Sequence, residues 1–208
     1  MADKTADVFE KNYQEYLTQL SSVDLEVIRD TLGLILDSGK LFLPFFNKRY
    51  CVTNIDIVDE SGKEPSYAEG VVLFKYILLC PDKPYFDREW SAFKDFKKVS
   101  HFTNVNFFRS DTEKVIENAF SGRLDMLRKA CLALGGVNHE METQYDLAMK
   151  FDALLRISLL LLFNDGDEEF PAKCTVLFQK NAEHYLDPES LAITSAWLAK
   201  KLATQNNN

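Results

Sequence analysis

Cysteine is sparse in this chain: Cys51, Cys80, Cys131 and Cys174 are the only four in 208 residues, and no two form a C-x-x-C pair. That spacing excludes a zinc ribbon or a cluster-binding loop written from neighbouring residues. Each thiol lies in an apolar run, which predicts buried free cysteines. The eight glycines form no G-x-x-x-x-G-K phosphate cradle, no G-x-G-x-x-G and no G-x-S-x-G elbow, and the three histidines form no H-E-x-x-H. Kinase, dehydrogenase and hydrolase templates all lose ground. Positive charge is also short, with 24 Lys and Arg against 32 Asp and Glu, a net charge of −8. Nucleic acid and anionic lipid are bound through clustered cations, so neither is an expected partner. The densest basic stretch, Lys94, Lys97 and Lys98, contains Asp95 and sits among Phe93, Phe96 and Phe102, and reads as a solvated helix face. Long apolar runs are missing as well. The longest in the C-terminal half is residues 159–163, against about 20 for a spanning helix. The acidic, polar start lacks the pattern of a secretory signal, and a cytoplasmic location is expected.

What is present is ordinary globular usage, 46% hydrophobic and 27% charged, with 16 Phe and 8 Tyr that predict an aromatic-rich core. No linker divides the chain, so a single domain over residues 1–208 is expected, frayed at residues 1–4 and 204–208. Phe9, Tyr13, Leu17 and Leu20 recur at helical spacing, and Asp24 can cap a second helix carrying Leu25, Ile28 and Leu32. Short strands at residues 34–36, 41–46 and 50–57, with turns at 37–40 and 47–49, read as an antiparallel meander. Ser66 and Glu69 have capping-box spacing before an apolar run that only Lys75 interrupts, and Pro81 ends that helix. Residues 82–108 read as a short helix or loop laying aromatic rings on the sheet. Ser110 and Glu113 repeat the capping-box spacing before a helix to about Leu134, with Gly122 as a break and Gly135-Gly136 as its stop.

In the last third, Tyr145, Leu147, Met149 and Phe151 alternate as a half-buried strand. Residues 155–163 read as a central strand, Asn164-Asp165-Gly166 as a turn, and Cys174, Val176 and Phe178 as a third strand. Asp187-Pro188 opens a closing helix whose apolar face holds Ile193, Trp197, Leu198 and Leu202. The expectation is an α+β fold: one antiparallel or mixed sheet of about five to seven strands with helices packed on it.

The stretch Leu159-Leu160-Leu161-Leu162-Phe163-Asn164-Asp165-Gly166-Asp167-Glu168-Glu169-Phe170-Pro171, followed by Val176-Leu177-Phe178, Glu183-His184-Tyr185-Leu186 and Glu189-Ser190-Leu191-Ala192, resembles the C-terminal signature of an uncharacterised family. The family is a domain of unknown function numbered thirty-seven eighty-six. Tyr76-Ile77-Leu78, Trp90-Ser91-Ala92-Phe93 and Leu134-Gly135-Gly136 fit its order of features, so the resemblance spans roughly Tyr13 to Leu202. It implies relatives in anaerobic bacteria and archaea, some joined to a four-cysteine iron-sulphur domain of the kind that accompanies corrinoid proteins. Because the cysteines here are far apart, any cluster or corrinoid would belong to a partner protein. No catalytic residues come with the resemblance.

Candidate sites follow from chemistry. Asp165, Asp167, Glu168 and Glu169 crowd four carboxylates into one turn. Such a turn is a hard-cation or amine site, a general acid/base, or a solvated turn in which Gly166 supplies backbone freedom. It is not an EF-hand, because the glycine precedes Asp167 and no bidentate Glu follows at the required position. His184, beside Glu183 and ahead of Glu189, is the histidine placed for acid/base work with Asp167 and Glu168, or a structural residue near the last helix, and Tyr185 next to it is a ligand-binding candidate with Asp165 and Glu169. Strand pairing would set it toward the opposite end from the acidic turn. His101 and His139 have no metal-spaced partner. Trp90 with Phe93 and Phe96 forms an aromatic wall for a flat ligand, or core. Two readings result: an accessory or ligand- and partner-binding protein of anaerobic metabolism beside an iron-sulphur or corrinoid protein, and a small-molecule enzyme using the acidic turn and His184.

Overall fold

Two antiparallel sheets stand where the sequence predicts one, in a computed structural model that describes residues 2–97, 99, 104–141 and 145–205. Lys98, His101 and Phe102, singled out in the sequence, lie outside the described residues. The chain opens with α1 (Ala2–Leu20) and α2 (Leu25–Leu32). Asp24 caps α2 as its spacing predicts, accepting the Glu26 and Val27 amides at 3.0 and 3.3 Å. Gly33, at φ 74°, closes it in the left-handed region.

The meander follows as β1 (Ile35–Asp37), β2 (Lys40–Phe45), β3 (Lys48–Val52) and β4 (Ile57–Asp59), paired in that order. Ser38 and Gly39 take φ of 50° and 74°, the two positive values of a tight hairpin whose twist matches the strands. The second hairpin turns at Phe46 (φ 51°) and Asn47, so Lys48 and Arg49, expected in the turn, pair within β3. The single strand expected over 50–57 is two strands. Thr53 and Asp56 break it, joined by a backbone bond of 3.0 Å and a side-chain bond between the hydroxyl and the carboxylate.

Next comes α3 (Tyr67–Leu78), buried along most of its length. Its capping box is present: Glu69 Oε2 accepts the Ser66 amide at 2.9 Å. The same carboxylate accepts Lys48 Nζ at 2.6 Å and the Trp197 indole N–H at 3.2 Å. Burial pushes the Glu69 carboxyl up, but the bonds from Lys48 and Ser66 outweigh it and hold it at about 2.

The stretch expected as helix or loop holds an edge strand, β5 (Trp90–Ala92), before a 3-10 turn at Phe93–Asp95. Then α4 (Asn104–Phe108), a π turn at Arg109–Glu113 and α5 (Lys114–Phe120) form one continuous helical run. The capping box expected at Ser110 is therefore wrong. Ser110 sits inside the helix with its hydroxyl donating back to the Phe107 carbonyl at 3.0 Å. Glu113 turns away to the sheet edge, where its Oε1 accepts the Val176 amide at 3.2 Å while Glu117 Oε1 accepts the Cys174 amide at 3.1 Å. Those two amides belong to a strand segment left unpaired by β5, so the carboxylates satisfy an open edge. Gly122, at φ 71°, separates α5 from α6 (Leu124–Ala133), and Gly135, at φ 82°, ends it. Gly136 is required by close approach: a Cβ there would lie 2.7 Å from the Phe151 ring and 2.9 Å from the Cys131 carbonyl.

The second sheet is completed by β6 (Val137–Asn138), β7 (Leu147–Leu154), β8 (Ile157–Asn164) and β9 (Lys173–Gln179), in the order β5-β9-β8-β7-β6. The all-apolar β8 is interior, as its composition predicts. The closing helix α7 (Pro188–Gln205) packs on α3 and on the helical run 104–120. The two sheets meet where the Phe46 amide donates to the Ala153 carbonyl at 2.8 Å and the Phe46 ring stacks on Trp197 at 4.7 Å. All four cysteines are free. Cys131 and Cys174 are buried as expected, but Cys51 and Cys80 are only partly so. Among the described residues no helix is long and apolar enough to cross a membrane.

Candidate functional site

Strand alternation builds the site. In β7, Met149, Phe151 and Ala153 face the core, so Lys150 and Asp152 face outward. Register carries that outer face across the sheet: Lys150 pairs with Leu160, Asp152 with Ser158, and Trp90 with Gln179. Leu160 and Leu162 lie on this outer face yet are 0% and 3% exposed. The rings of Trp90 and His139 line the groove on this side. They meet edge to face at 5.6 Å, although β5 and β6 are opposite edges of the sheet. Four strand spacings span roughly 19 Å in a flat sheet. The contact therefore requires a concave face whose edges fold toward each other.

That concavity is a groove of about 610 Å³, within the range of small-molecule sites. Its floor carries Asp152, whose Oδ1 accepts the Ser158 hydroxyl at 2.6 Å and Lys150 Nζ at 2.8 Å. At one end, in the β7–β8 hairpin, Arg156 donates from Nε to the Thr31 carbonyl at 3.0 Å and from Nη2 to the Asp30 carbonyl at 3.4 Å. Those carbonyls close α2, where the helix dipole also favours a cation. The Arg156 guanidinium lies over the Phe86 ring, 4.6 Å from its centroid. Asn181 joins this end: its Nδ2 donates to the Arg156 carbonyl at 2.7 Å, while its Oδ1 is buried without a hydrogen-bond partner among the described residues.

A second cavity of about 440 Å³ shares Phe86, Asp87 and Asn181 with the groove and holds His184. His184 stacks flat on Tyr85, 3.9 Å between centroids and 5° between planes. Glu183 Oε2 accepts the Lys97 amide at 3.1 Å. Tyr185 is fully buried, and its hydroxyl accepts the Tyr85 amide at 2.8 Å and donates to the Tyr85 carbonyl at 3.1 Å. Phe93, offered with Trp90 as a ligand wall, instead stacks on Phe108 at 4.4 Å in the core.

The acidic turn lies past the other end of β9. Asp165 Oδ1 accepts the Gly122 and Gly166 amides at 2.7 and 2.8 Å. Asp167 Oδ1 accepts the Phe170 and Glu169 amides at 2.7 and 2.8 Å, and these bonds hold its carboxyl below the usual aspartate value. Glu168 and Glu169 are exposed. Lys173 pairs with Asn164 beside this turn, whereas His184 follows Gln179 at the far end of a seven-residue strand roughly 20 Å long. Asp167 and Glu168 are thus not brought together with His184. Among the described residues, no group of three or more His, Cys, Asp and Glu side chains is placed to hold a metal ion. Desolvation also pushes the Cys80 and Cys131 thiols up to about 11 and 12, and Cys174 well above the usual value.

Of the residues singled out for ligand binding, Trp90 alone lines the groove. The others there, among them Arg88, Lys150, Asp152, Arg156, Ser158 and Gln179, were not anticipated as a site. The outward period of β7 and an arginine inside an apolar run were the available signals. A family model described as Domain of unknown function (DUF3786) matches residues 24–201. No curated protein and no solved structure matches the chain.

Proposed function

We propose that this chain, which belongs to that family of unknown function, is a non-catalytic binding module whose working surface is the groove across the five-stranded sheet. The observation that carries this reading is a concave, aromatic-edged groove of about 610 Å³ whose Arg88 and Gln179 side chains form no hydrogen bond among the described residues. Recognition sites combine such apolar walls with a few fixed polar groups. The role fits an accessory protein of anaerobic metabolism that works beside an iron-sulphur or corrinoid protein, as the family resemblance implies. Thiols raised by burial are poor cluster ligands, which supports leaving any cluster to the partner.

Acid/base chemistry by Asp167 and Glu168 with His184 is the alternative. It requires groups at opposite ends of β9 to act on one substrate, so the geometry favours binding. Screening polar aromatic fragments against Trp90 fluorescence, with Trp90→Phe as the blank, tests the proposal. A saturable response confined to the protein with Trp90 is expected; no response from any fragment sinks it. Purification from a native anaerobe without a co-eluting iron-sulphur or corrinoid protein would remove the partner.

A further inference from the structure

We infer that the groove's ligand is a planar aromatic acid, an inference that rests on the groove being the binding surface. The groove's charges decide the sign. Asp152 is already answered by Lys150 and Ser158. Asp87 borders the groove and turns one oxygen to the Glu89 amide at 3.0 Å. Arg88 and Arg156 also line it, and neither forms an ion pair among the described residues. Arg156 is held by two neutral carbonyls, so its charge is oriented without being cancelled. Arg88 makes no side-chain bond among the described residues and has its whole donor fork available. Two uncompensated guanidinium groups select an anion, and their planar fork suits a carboxylate. A cationic ligand finds its natural seat taken, because the Phe86 face already carries the Arg156 guanidinium.

The aromatic part follows from Trp90. Its ring meets His139 edge to face, is only half-buried, and offers an apolar surface that a flat ring can cover. The donor requirement follows from Gln179. Its side-chain amide lines the groove and forms no hydrogen bond among the described residues, so a ligand hydroxyl or ring N–H can donate to its carbonyl. The ligand class is thus a ring carrying a carboxylate and a separate hydrogen-bond donor.

The test titrates the full chain with 4-hydroxybenzoate, with benzoate, which lacks the donor, and with 4-hydroxybenzamide, which lacks the charge. Trp90 emission is read against Trp90→Phe, because Trp197 also emits. The acid should saturate, with the amide weaker by at least about tenfold and benzoate weaker by several-fold. Arg88→Gln should weaken the hydroxy acid about tenfold while leaving the amide and the melting temperature unchanged. An amide that binds as tightly as the acid, or an Arg88→Gln protein with undiminished affinity for the acid, overturns the ligand class while leaving the groove in place. No Trp90 response to any of the three at millimolar concentration overturns the class, and silence across the wider fragment panel overturns the groove as well.

Discussion

The acidic turn and the groove lie off opposite ends of the same sheet, and both are rich in polar side chains, but they use them in opposite ways. In the turn, Asp165 and Asp167 each accept two backbone amides, four bonds that an irregular segment needs because no ladder supplies them. In the groove, Gln179 sits on a paired strand whose backbone groups are already satisfied and Arg88 stands beside it, and neither side chain forms a hydrogen bond among the described residues. Residue type alone ranks the turn higher, since four carboxylates outweigh one tryptophan. Hydrogen-bond capacity left over after folding reverses the ranking.

The largest effect expected from breaking this contrast is at Glu69, the most fully committed carboxylate. Glu69→Ala removes the partner of Lys48 and of the Trp197 indole, and should cost about 3–5 kcal/mol in urea unfolding. Its carboxyl is held at about 2, below the ordinary 4.5, so its contribution is complete above 4.5 and is lost as pH falls toward 2. A chain whose stability is flat over that interval contradicts the assignment. Next in size, Asp165→Ala should cost about 1–3 kcal/mol through the Gly122 and Gly166 amides, with affinity for 4-hydroxybenzoate unchanged. A lost affinity there would mean that the turn belongs to the binding site after all. Gln179→Ala should do the reverse, changing the unfolding free energy by no more than about 0.5 kcal/mol while weakening the ligand. The smallest effect belongs to Glu168→Gln, for which neither unfolding nor binding should change.

Local features were legible in the sequence because the chemistry that makes them is local. The Ser66–Glu69 capping box, the Asp24 cap, the Asp187-Pro188 helix start and the interior position of β8 need only near neighbours or composition to be recognised. The number of sheets was not legible. Alternation shows that a strand has two faces, yet it cannot show that β5 pairs with β9, more than eighty residues away, or that the meander forms a sheet of its own. Ser110 and Glu113 match a capping box in spacing, but the open amides of β9 capture Glu113 instead. The likeness that identified the family also came from the last third, where strand, turn and capped helix follow closely in sequence. The groove stayed hidden for a different reason. Nothing in the local pattern ties Lys150, Asp152 and Arg156 to Trp90, which the fold of the sheet brings to one groove.

The most direct measurement is a nitrogen–proton correlation spectrum recorded while 4-hydroxybenzoate is added. The Trp90 indole and Gln179 side-chain signals should shift together while the Glu169 and Phe170 amides, held by Asp167, stay in place. Shifts in Glu169 and Phe170 with a stationary Trp90 indole would contradict the account.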